Sequence, residues 1–140
     1  MSDDITDKTV PLQINDAHCH FFSKKFFAKL SSELLSKKKY PSQNNSPQAL
    51  LDELGWEAPG SADALADRWA AELDAANVTR AALMSSVPED ESSVARAIAR
   101  HPQRFVGMFM VNPLATGATE RVRRAFSEHR LSCACLFPAM

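Results

Sequence analysis

The chain has 140 residues, 45% of them hydrophobic and 24% charged, and its 16 basic and 17 acidic side chains leave a formal net charge of −1. That length suffices for one core burying roughly 70% of the unfolded surface, while the charge balance lacks the basic stripe of a nucleic-acid footprint. No run of about 18 apolar residues marks a membrane span, the polar, acidic start Met1–Lys8 is unlike a signal peptide, and three cysteines suit a reducing compartment; a cytoplasmic chain without nucleic-acid or membrane partners is expected.

Residues 1–9 read as a disordered tail and 10–140 as one α/β domain. Within Val10–His18, Leu12 and Ile14 alternate with polar residues at the strand period. From Phe22 to Tyr40 the spacing of Phe22, Phe26, Phe27, Leu30 and Leu34 predicts a helix, ended by Lys37-Lys38-Lys39. A linker over 41–45 follows. Ser46-Pro47 then reads as an N-cap with proline at the first helical position, and Gly55 as the matching stop. Residues 21–60 together form a lid-like excursion. The next helix starts at Ser61 with Leu65, Trp69, Leu73 and Ala76 on one face, and Asn77 suits a left-handed C-terminal position.

Val78–Ser86 is strand-like. Glu89-Asp90-Glu91 put negative charge at the start of a helix carrying Val94, Ala97 and Ile98, which Pro102 stops. Phe105–Val111 is continuously apolar, the pattern of a strand covered on both faces. A helix over 118–129 turns Val122, Ala125 and Phe126 inward, and Ser132–Pro138 forms a last apolar run. Strands alternating with helices imply right-handed βαβ units and a parallel sheet. A closed (β/α)₈ barrel takes about 250 residues, so four such strands amount to half of one, and the last strand stands as if cut at its far side.

The chemistry concentrates in Asp16-Ala17-His18-Cys19-His20, at the C-terminal end of the first strand. Strand alternation projects His18 and His20 to one face, about 6–7 Å apart along the backbone, where both imidazoles reach one ion. Asp16 shares that parity and is placed to orient an imidazole or a partner group. Cys19 points the other way, toward the helices. The plainer reading is two polar residues at a strand end.

This segment resembles the first-strand DxHxH motif of the amidohydrolase superfamily, in its branch of amidohydrolase-related hydrolases and metal-dependent decarboxylases. The likeness continues through Leu73–Leu83, Ala99–Gly107, Val111-Asn112-Pro113 and Cys135–Pro138, and is weakest over 21–60. It implies the N-terminal half, strands one to four, of a TIM-barrel metal-dependent hydrolase acting on a small carbonyl- or carboxylate-bearing substrate. His18 and His20 match the family's first two ligands of a divalent ion: zinc, with manganese or iron also compatible. The family's further histidine and its catalytic aspartate have no counterpart here, so no catalytic residue lies within the chain. Alone, it is expected to have no turnover; the missing half, or a homodimer, would have to complete it.

Phe22, Phe26 and Trp56 are candidates for the substrate pocket, because loops after barrel strands build the rim of the site; they could equally pack under a lid. His101 and His129 read as helix C-terminal cations, and Cys133 and Cys135 as small buried hydrophobes. Two other functions compete with the hydrolase. A non-oxidative decarboxylase would use the same motif and release CO₂, whereas a non-catalytic α/β interaction module would be a monomer indifferent to chelators.

Overall fold

The computed structural model describes residues 12–36 and 46–136. The expected tail, the Lys37–Lys39 helix end, the 41–45 linker and Phe137-Pro138 lie outside those residues. In chain order the elements are β1 (Ile14–Phe21), α1 (Lys24–Ser36), α2 (Pro47–Leu54), α3 (Ala62–Ala75), β2 (Val78–Ser85), α4 (Glu91–Arg100), β3 (Phe105–Val111), α5 (Ala118–Ser127) and β4 (Cys133–Leu136). The strands form one parallel sheet in the order β1-β2-β3-β4, curled like half a barrel. The class is α/β with repeating βα units. No helix among the described residues is long and apolar enough to cross a membrane.

Local chemistry sets the helix ends. Ser46 accepts the Ala49 N–H at 3.1 Å with Pro47 in the first turn, and Gly55 closes α2 at φ 66°. Ser61 accepts the Ala64 N–H at 3.1 Å to start α3, and Asn77 follows that helix at φ 55°. Each side-chain cap satisfies one of the amides that a helix start leaves without a partner. α1 begins later than its aromatic spacing suggests. Ser23 takes the cap, accepting from the amides of Lys25 at 3.1 Å and Phe26 at 3.3 Å, and Phe22 stays outside the helix.

The core lies between the sheet's convex face and α3, α4 and α5, around Phe21, Leu65, Leu73, Leu83, Val94, Phe105, Phe109 and Ala125. Gly107 marks the tightest approach. A Cβ there would stand 2.3 Å from Ile98 Cδ1 and 2.6 Å from Leu131 Cδ2, so only glycine lets α4 and the segment before β4 close on β3. Three expectations change. Leu12 and Ile14 are exposed, and the positions that anchor β1 are Cys19 and Phe21. β3 is covered on one face only: Phe105, Phe109 and Val111 are buried, whereas Val106, Met108 and Met110 are half-buried. Phe126 is 44% exposed, touching Phe109 ring edge to face while Ala125 fills the inward position of α5. Cover on the concave side is uneven among the described residues: Met84, beside Met108, is fully buried, whereas the β3 side chains on that face are not.

Arginines tie the helices together. Arg121 bonds Glu91 at 2.7 Å and the Met110 carbonyl at 2.8 Å, linking α5 to α4 and β3. Arg100 bonds Asp67 at 2.7 Å between α4 and α3. Beneath the loops, Asp90 is fully buried and accepts from the hydroxyls of Ser93, at 2.6 Å, and Ser23. The turn after β1 is thereby fastened to the start of α4.

Candidate metal site

β1 carries the site because its backbone departs from even pairing with β2. Asp16 stands opposite Ala81 and Cys19 opposite Leu83, so three steps along β1 match two along β2. Such a bulge re-aims side chains. His18 and His20 converge beyond it, with Nε2 atoms 3.3 Å apart and ring centroids 5.0 Å apart. Asp16, on the other side of the bulge, takes the face of Cys19 rather than of the histidines. This corrects the expected alternation. Its carboxylate accepts the His18 backbone N–H at 2.9 Å and interacts with the Cys19 thiol. Asp16 therefore braces the chain at His18.

The electrostatics follow. The His18 amide, then the Cys19 thiol, hold the Asp16 carboxyl below the usual carboxylate range. Burial, then the Asp16 carboxylate, pushes Cys19 up to about 12, so this thiol stays protonated and inert. Burial and the neighbouring His18 hold His20 below the ordinary imidazole range. A neutral imidazole is the form that ligates a metal.

Ser86, just past β2, is the residue sequence reasoning missed. Its Oγ lies 3.2 Å from His20 Nδ1 and 3.5 Å from the Met84 carbonyl. If the hydroxyl proton goes to Met84, the oxygen accepts Nδ1–H and the His20 Nε2 lone pair faces His18 Nε2, whose proton it accepts when no metal is bound. No sequence spacing connects residues 20 and 86; only the pairing of β1 with β2 does.

An aromatic wall continues from the histidines. Phe22 stacks on His20 at 5.7 Å and on Trp56 at 5.8 Å between centroids. Beside them opens a cavity of about 650 Å³ whose lining includes His20, Phe22, Phe27, Trp56, Arg68 and Trp69. Two of the three pocket candidates, Phe22 and Trp56, thus border it. Phe26 packs behind Phe22 at 4.4 Å and is not among the lining residues. Phe27, which does line the cavity, takes the place expected of it.

The other candidates lie elsewhere. His101 bonds Asp67 through Nε2 at 2.8 Å, a structural contact at the end of α4. His129 borders a separate polar cleft with Glu91, Arg121 and Arg124. Cys133 is exposed and Cys135 partly exposed, against the expectation that both are buried. Among the described residues no third His, Cys, Asp or Glu joins His18 and His20. No protein-family model, curated protein or solved structure matches this chain.

Proposed function

We propose that His18 and His20 are two ligands of one divalent metal ion, in a metal-dependent hydrolase site for a small organic substrate on a (β/α)₈-type scaffold. The observation that carries this reading is the 3.3 Å between the Nε2 atoms. Two ligands of a tetrahedral ion at 2.0–2.1 Å stand about 3.3–3.4 Å apart, so the pair already has the spacing of one tetrahedral edge. The tautomer supported by Ser86 and the depressed basicity of His20 both favour a neutral ring whose Nε2 lone pair is turned toward His18.

An ion held by His18 and His20 would supply Lewis-acid chemistry, polarising a carbonyl and making a bound water more acidic. The chain's own residues hold and orient. Asp16 fixes the backbone at His18, Ser86 fixes the ring of His20, and Phe22 with Trp56 offer a flat apolar wall to a substrate in the adjoining cavity. A catalytic zinc takes three protein ligands and a water. Two are present among the described residues, so on this reading the third, and the group that moves the proton, come from a second copy or another polypeptide segment. By itself the described part is inactive in this account.

Zn(II) titration of the full chain by calorimetry tests the reading. Binding that disappears in His18→Ala and in His20→Ala, and weakens about 10–100-fold in Ser86→Ala, supports it. Titrations identical to wild type in both histidine variants would overturn it.

A further inference from the structure

The concave face carries a second group of metal-ligating side chains, at the opposite edge of the sheet from the histidines. In β3 the buried Phe105, Phe109 and Val111 face the helices, which leaves Met108 and Met110 on the concave side. Parallel pairing sets Met108 beside Cys133 and Met110 beside Cys135. Paired strands lie about 4.8 Å apart, and alternate residues along a strand about 6.6 Å. Four sulfur side chains therefore rise from the corners of one small rectangle. On β2, Met84 stands next to Met108 but is fully buried and takes no part in the group.

All four residues are at least partly accessible, and the Cys133 thiol donates to the Ala134 carbonyl at 3.8 Å. Neither cysteine is in a disulfide, Cys133 is exposed, and Cys135, Met108 and Met110 are all half-buried. The thiols also feel each other: burial, then Cys133, raises Cys135 above the ordinary thiol range. A Cys133–Cys135 disulfide is the poorer use of the pair. About 6.6 Å between Cα atoms lies near the upper limit for that bond, although the two thiols already interact.

We propose that Cys133, Cys135, Met108 and Met110 form a binding site for one soft cation, Cu(I), at the β4 edge of the concave face. Thiolates and thioethers together select Cu(I) among biological metals. Structural zinc wants four nitrogen or thiolate ligands, and no third His, Cys, Asp or Glu completes such a set among the described residues. Calcium and magnesium require oxygen ligands, which these four side chains lack. Methionine's three rotatable bonds let both thioethers turn onto an ion held by the cysteines. Binding forms bonds from copper to the two thiolates, whose protons pass to solvent. Copper stays Cu(I), so no electron donor or acceptor is needed. The proposal is independent of the histidine site, since β1 and β4 are opposite edges of the sheet.

The test is anaerobic titration of the reduced full chain with Cu(I), against bicinchoninate as a coloured competitor. The expected result is one Cu(I) withdrawn from the competitor per chain. The Cys133→Ser/Cys135→Ser chain withdraws none, and Met108→Leu/Met110→Leu weakens binding at least about tenfold, since even residues that merely support ligands contribute about 10–100-fold. The His18→Ala/His20→Ala chain binds as wild type does. Circular dichroism of each variant separates lost ligands from lost fold. The site is overturned if wild type leaves all Cu(I) with the competitor, if the folded double-serine chain still binds, if the leucine pair changes nothing, or if the histidine variant alone abolishes binding.

Discussion

The convex and concave faces of the sheet are finished in different ways. On the convex side Phe21, Leu83, Phe105 and Phe109 are closed under α3, α4 and α5, and Gly107 admits no extra methyl. On the concave side His18, His20, Met108, Met110, Cys133 and Cys135 are exposed or half-buried, and among the described residues between them Met84 is fully buried. Packing fixes the first face, so its side chains are chosen for shape. The second face is under less of that demand, and its open side chains include imidazoles, thioethers and thiols. What separates them is which face of a strand a residue occupies, since Phe109 and Met110 are neighbours in the chain.

The largest expected effect breaks the comparison most simply. Phe109→Ala should cost about 3–5 kcal/mol of stability, while Met110→Ala, half-exposed on the other face, should cost less than the 2–5 kcal/mol usual for a buried methionine. Urea unfolding of both variants checks this, and equal losses would mean that the concave face is also sealed. Asp90→Ala comes next. It leaves the Ser23 and Ser93 hydroxyls without their acceptor beneath the loops, at about 2–3 kcal/mol, measured by the same unfolding. Gly107→Ala should destabilise by about 1–3 kcal/mol, because Ile98 and Leu131 must both move to make room.

Much of the convex face was legible in the sequence, because caps and periodicity act locally. Ser46-Pro47 with Gly55, Ser61 and Asn77 mark helix ends where the structure has them, and the order of strands and helices follows the alternating patterns. The HxH pair was legible too, as two imidazoles on one face. Long-range pairing was not. The bulge that turns Asp16 away from the histidines depends on the register of β1 against β2, and Ser86 meets His20 across the same pairing. The continuous apolar run of β3 suggests cover on both faces, yet its methionines and the paired cysteines are open, since hydrophobicity alone does not tell a buried thioether from an available one. Ser23 was passed over because the aromatic stripe ran through it.

A smaller effect sharpens the view of the convex side. Asp67 is lowered to about 2 by the Arg100 hydrogen bond first and His101 second. Its folded pKa lies below the unfolded value near 3.9, so the contribution is present above about pH 4 and is lost as pH falls toward 2. Asp67→Asn should flatten that part of the stability profile, read by thermal unfolding between those pH values. The pair is exposed, so the change will be slight.

The central claim, that the concave face presents two imidazoles ready for one ion, is tested most directly by nitrogen-15 NMR of the imidazole rings with and without Zn(II). The account predicts His20 as the Nδ1–H tautomer before metal, and Nε2 resonances of His18 and His20 that shift together on addition while His101 and His129 stay in place. A His20 protonated on Nε2, or zinc shifts confined to His101 and His129, would contradict it.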